Sequence, residues 1–169
     1  MPQPDLQQVP SFYHNYIKLV PHQNLMDAFA IYTTEMIAVL KSLPEEKWSY
    51  RYAEGKWSIK EMVQHMIDTD RIFGYRALAI ARGEKASLPG FDENAYAAIS
   101  NADQRQPQSL IEEMKTVQAA TTMLFQSFNE QQLASIGTAN GKQIDVNAIG
   151  YITVGHTLHH KNILTERYL

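Results

Sequence analysis

The chain contains no cysteine. That excludes disulfides, thiolate metal ligands and a cysteine nucleophile from within the protein. Any thiol chemistry would need a thiol carried in on a small molecule, and any soft-metal site would be built from histidine and carboxylate. A strong charge of either sign is also missing: 15 Lys and Arg face 18 Asp and Glu, for a net −3. No overall positive field therefore draws nucleic acid or an anionic membrane. No apolar run approaches the roughly 20 residues of a membrane span. The chain lacks a Gly-x-Gly-x-x-Gly motif, a P-loop, a Gly-x-Ser-x-Gly elbow and a His-Glu-x-x-His helix. Its first residues lack the basic-then-apolar layout of a signal peptide, so cytoplasmic residence is the expectation. What is present, 169 residues with 44% hydrophobic side chains, suits one domain over 1-169 with its own core.

Three of the six histidines fall within five residues near the end, in Gly155-His156-Thr157-Leu158-His159-His160. At about 100° per residue, His156 and His160 share a helix face, roughly 40° apart. Ile149, Ile152 and Ile163 lie on that face, while His159 points to the flank. Two imidazoles in an apolar stripe need a partner, because an unpaired buried polar group is costly. A shared metal ion is one such partner; satisfied core or surface histidines without a metal are the other reading that spacing leaves open.

Residues 1-21 carry Pro2, Pro4, Pro10 and Pro21 with Phe12, Tyr13 and Tyr16 between them. This spacing opposes a long helix and suggests an extended arm laid against the body. His14 and His22 read as surface or turn histidines. Helix one is expected from Asn24, an N-cap, to Leu43, with Leu25, Phe29, Tyr32, Met36, Val39 and Leu43 as its stripe. Pro44 stops it. Helix two opens on the capping box Ser58-Ile59-Lys60-Glu61 and runs to about Ala81, with Gly83 as its stop. His65 sits at the margin of its apolar face, with Glu61 and Arg76 on the same side and Asp68 beside it. That mixture reads either as a pocket wall or as a half-exposed face with its own ion pairs.

Residues 83-107 form a long connection with a Pro89-Gly90 turn and a short helix over Asp92 to Ile99. Helix three spans about Gln108 to Phe128. Asn140-Gly141 marks a tight turn between two short extended pieces. Helix four starts at Asp145 and runs nearly to Leu169. Its opposite face carries Tyr151, Val154 and Leu158, so it packs on two sides, against the arm or a second subunit. Four amphipathic helices and one long crossover give an all-α four-helix bundle, a fold that commonly holds metals between facing helices. The proposal at this level is that His65 faces His156 and His160 around a divalent ion, zinc or nickel.

The blocks Gly55-Lys56-Trp57-Ser58-Ile59-Lys60-Glu61-Met62-Val63-Gln64-His65 and Gly155-His156-Thr157-Leu158-His159-His160 resemble the two signature helices of the DinB/YfiT superfamily. Leu88-Pro89-Gly90-Phe91-Asp92 and the closing Glu166-Arg167-Tyr168 fit its DinB-like branch. The resemblance covers most of the chain. It implies a four-helix bundle with a long crossover, a three-histidine divalent metal site and frequent homodimers. By motif match the ligands would be His65, His156 and His160, with His159 left out. Characterised relatives include thiol-dependent enzymes, which implies a transferase acting on a small-molecule substrate with a low-molecular-weight thiol. Glu61, Asp68 and Arg76 are the candidates for orienting ligands or binding substrate. A non-enzymatic metal-binding module and a metal-dependent hydrolase are the rival expectations.

Overall fold

The computed structural model describes residues 2-169, with residues 31 and 32 described in backbone only; the side chain of Tyr32, expected in the first stripe, lies outside the described ones. The arm is wound rather than extended. Two 3-10 turns, Leu6–Gln8 and Ser11–Tyr13, lead into a short helix α1, His14–Lys18. Proline limits each piece to about one turn but does not forbid the turn itself, since Pro10 sits just before one. Helix α2, Leu25–Ser42, is capped by the Asn24 side chain. Helix α3, Ile59–Ala81, is closed by both hydrogen bonds of the Ser58/Glu61 capping box.

The long connection holds a short helix α4, Glu93–Ile99, capped by Asp92. Helix α5, Pro107–Gln126, places proline at its first position, where no N–H is missed. A single-turn helix α6, Glu130–Leu133, follows. Strands β1, Ile136–Ala139, and β2, Lys142–Asp145, pair antiparallel around Asn140-Gly141, both of which take positive φ. Leu88 bridges to Ala139 and pins the crossover to this hairpin. Helix α7, Val146–Ile163, is capped by Asp145. It then widens into a π turn, Leu164–Tyr168. Leu164 and Tyr168 are both buried there, with the Tyr168 hydroxyl donating to Trp57 O at 2.7 Å.

Helix α3 packs against α5 and α7, and α2 packs against the same two, so α2 and α3 lie diagonally across a four-helix bundle. The second face of α7 is covered from within the chain. Helix α1 lies along it, and Tyr151 donates its hydroxyl to Gln23 O at 2.8 Å. A Cβ on Gly155 would stand 2.1 Å from Tyr16 O, so only glycine allows that approach. Tyr151, Val154 and Leu158 are thus buried in the chain's own core.

That core is divided. One apolar cluster contains Phe29, Phe73, Phe125 and Ile149; the other contains Met36, Met62, Met114 and Leu164. On each long helix the residues between the two are polar: Thr33 on α2, Asp70 on α3, Gln118 and Thr121 on α5, Thr157 and His160 on α7. A polar layer therefore crosses the middle of the bundle.

Candidate metal centre

Three imidazoles meet at the level of that layer. His65 comes from the second turn of α3, and His156 and His160 from successive turns of α7, as the four-residue spacing requires. His65 Nε2 lies 3.0 Å from His156 Nε2, which lies 3.1 Å from His160 Nε2. His156 and His160 are almost wholly buried. Neighbouring groups fix the rings. Trp57 lies 4.7 Å from the His65 ring, centroid to centroid, and Thr69 Oγ1 is 3.5 Å from His65 Nδ1. Tyr16 of the arm meets the His156 ring edge-on at 5.6 Å.

Burial holds these rings neutral. It lowers the His65 pKa to about 4, with His159 adding a smaller repulsion. It pushes His156 and His160 well below 6.5, helped by the other imidazoles. Three neutral rings with converging nitrogens cannot all satisfy one another, since one N–H supplies one proton and each Nε2 presents one site. A divalent cation fits the set: it accepts all three lone pairs and requires neutral imidazoles. These three are a group of side chains whose donor atoms lie close enough together to hold one ion.

The trio opens into a cavity of about 260 Å³. Its walls come from segments far apart in the chain: Tyr16 from the arm, Trp57 before α3, Arg76 on α3, Glu93 on the crossover, Asn140 in the hairpin and His159 on α7. Arg76 is buried, donates from Nη2 to Pro89 O at 2.6 Å, and has no partner for Nε among the described residues. Of the other expected site residues, His159 stays out of the trio but lines the cavity, edge-on to Tyr16 at 5.3 Å. Glu61 and Asp68 find partners elsewhere. Glu61 closes the α3 capping box and pairs with Arg51. Asp68 accepts from Gln64 at 2.9 Å and lies 3.9 Å from Arg71. The cap claims the first acid and the α5-facing side of α3 claims the second.

Sequence reasoning did not assign Tyr16, Trp57, Glu93 or Asn140 to the site. Signals were present for two of them, the aromatic run in the arm and the tryptophan just before the α3 cap. Glu93 and Asn140 lie on a loop helix and a turn, where periodicity is silent.

Fold and site together define a four-helix bundle with a histidine trio disposed to hold a divalent metal. The chain belongs to the DinB superfamily, whose family model matches residues 29–164. A relative from Oceanobacillus iheyensis, provisionally named a metal-dependent hydrolase, is 30% identical over 66 residues, which is 39% of this chain and 38% of that protein. Among solved structures, YfiT from Bacillus subtilis is described as a probable metal-dependent hydrolase with an unusual four-helix bundle topology. It superposes with a TM-score of 0.71 at 17% identity, over 96% of this chain and 89% of its own. A mycothiol-dependent maleylpyruvate isomerase gives 0.69 at 13% identity, over 85% of this chain and 60% of its own. A DinB-like protein of Bacillus subtilis gives 0.60 at 20% identity, over 83% and 86%. No helix among the described residues is long and apolar enough to cross a membrane.

Proposed function

We propose that the protein is a divalent-metal enzyme, zinc or nickel dependent, that activates the sulfur of a low-molecular-weight thiol for transfer to a small-molecule substrate. The observation that carries this is the convergence of three neutral imidazoles at the floor of an open cavity. Neutral ligands leave the full dipositive charge of the ion uncompensated, which favours an anionic further ligand. Bound there, the metal supplies Lewis acidity that lowers the pKa of a coordinated thiol.

The chain's own residues do the rest. His65, His156 and His160 would hold the ion. Arg76, a cation on the cavity wall, supplies positive charge for an anionic group of the thiol carrier or the substrate. His159, half-buried and held below its ordinary pKa by burial, has a neutral ring able to accept the thiol proton. Tyr16, Phe73 and Trp57 keep bulk water from the floor. The chain has no cysteine, so in this reading the thiol is a diffusible reactant.

Hydrolysis is the second reading, favoured by the names of the Oceanobacillus relative and of YfiT. Zinc- or nickel-loaded protein tested with a panel of thiols and electrophiles separates the two. Consumption of thiol and electrophile in equal amounts supports transfer. Ester or amide turnover that is indifferent to thiol supports hydrolysis and overturns transfer. A loaded protein inert in both assays overturns enzymatic activity and leaves a metal-binding module.

A further inference from the structure

The wall of the metal cavity carries a charge that the proposed chemistry does not use. Glu93 is the one acid among the described residues that line it, and Arg76 is the one lysine or arginine. The four imidazoles there are neutral, each lowered by burial. The cavity therefore holds one fixed charge of each sign. The two are not paired with each other: Glu93 makes no hydrogen bond or ion pair among the described residues, and Arg76 donates to a neutral carbonyl, Pro89 O. Nor is Glu93 spent on a helix cap. It stands in the first turn of α4, but Asp92 already caps that helix, accepting from Asn94 N at 2.9 Å and Ala95 N at 3.0 Å. Tyr16 relates the carboxylate to the metal ligands. Its ring meets that of His156 at 5.6 Å, and its hydroxyl pKa is raised by burial first and then by the charge of Glu93.

We infer that the cavity takes a thiol bearing both a carboxylate and a free ammonium, an amino-acid thiol of the cysteine type, with the ammonium held by Glu93. The inference rests on the thiol reading above and narrows it. A thiol with anionic groups alone answers the metal and Arg76, but it brings a further negative charge into the cavity that Glu93 lines, where partial exclusion of water strengthens the repulsion. A thiol that also carries an ammonium answers all three: sulfur toward the imidazole trio, carboxylate toward Arg76, ammonium toward Glu93. Phe12, Tyr16 and Phe91 line the same cavity, and aromatic faces attract an ammonium but not a carboxylate. An N-acylated thiol has lost the charge that Glu93 recognises, so the site discriminates between free and blocked amines.

The test is titration calorimetry of the zinc-loaded full chain with L-cysteine and with N-acetyl-L-cysteine, each Kd being expressed per thiolate and zinc content being checked after each titration. Wild type should bind L-cysteine about fivefold more tightly, the worth of one ion pair at a solvent-accessible rim. Glu93→Gln decides the cause. It should bind N-acetyl-L-cysteine as wild type does and lose the preference for L-cysteine. Glu93 is exposed, so the variant should keep its Tm and its zinc. A preference for L-cysteine that survives in Glu93→Gln would overturn the inference, because the amine would then be bound by the metal or by another group. Equal affinity of wild type for both thiols would overturn it too, leaving Glu93 a solvated rim acid and the thiol reading intact. Binding of neither thiol would overturn the thiol reading and this inference together.

Discussion

Histidine 156 is the hinge of the site, since its Nε2 lies 3.0 Å and 3.1 Å from the other two. His156→Ala should reduce bound zinc or nickel from about one per chain to near zero, measured by elemental analysis after dialysis, and His65→Ala and His160→Ala should do nearly the same. His159→Ala should keep its metal; loss of metal there would mean that the ligand set is wrongly drawn. A pH effect follows from Asp70, whose pKa burial pushes up to about 7 from 3.8. The folded chain keeps a proton that the unfolded chain releases. Its contribution to stability is complete below the unfolded value and is lost as pH rises through about 7. His65, lowered to about 4 from 6.5, works in the opposite sense: its contribution is present above 6.5 and is lost as pH falls toward 4. Asp70→Asn removes the first effect alone. In metal-free buffer, the wild type minus Asp70→Asn difference in unfolding free energy should fall by on the order of 4 kcal/mol from about pH 4 to about pH 7.5. A flat difference in urea titrations would show that Asp70 does not titrate in this window.

At the scale of elements, the arm depends on one missing side chain. Gly155 lets the Tyr16 carbonyl approach to where a Cβ would stand, and backbone cannot yield as a flexible side chain can. Gly155→Ala should destabilise the protein by about 3 kcal/mol and free the arm, so that chymotrypsin cuts at Phe12 or Tyr13 sooner. Gly74→Ala is the control: its added methyl would meet only Thr121 Oγ1, at 3.8 Å, and alanine favours the helix, so stability should hold or rise. The four long helices were legible because their apolar residues recur at three and four, and because Asn24, Ser58 and Asp145 are caps that a reader of sequence can see. The histidine trio was legible because i and i+4 share a face. Glu61 was misplaced for a physical reason. It shares a face with His65, but a capping-box glutamate is already committed to backbone, and that commitment was written in the same motif. The wound arm escaped because proline spacing limits helix length without fixing what shorter pieces do. The cavity wall escaped because Glu93 and Asn140 reach it through tertiary packing of loops, which no period encodes.

At the scale of the molecule, the polar layer and the metal site bear on one weakness. Two apolar clusters separated by buried polar groups cohere less than one continuous core, because each polar group must be partnered to repay its desolvation. The trio joins α3 to α7 at the level of that break, with nitrogens that are unsatisfied by one another. A divalent ion that binds only the folded arrangement therefore adds stability by mass action, about 2.7 kcal/mol at a hundredfold excess over its Kd. For a chain of this length that is a Tm rise of roughly 5–10 °C. Stripping the metal with a chelator and removing the chelator before calorimetry should show the lower Tm. Readdition of zinc or nickel should restore the higher value. His65→Ala should unfold at one temperature with or without the divalent ion. If stripped and loaded wild type instead unfold together, the three imidazoles do not bridge the two helices through a metal, and the layer is held by some other means.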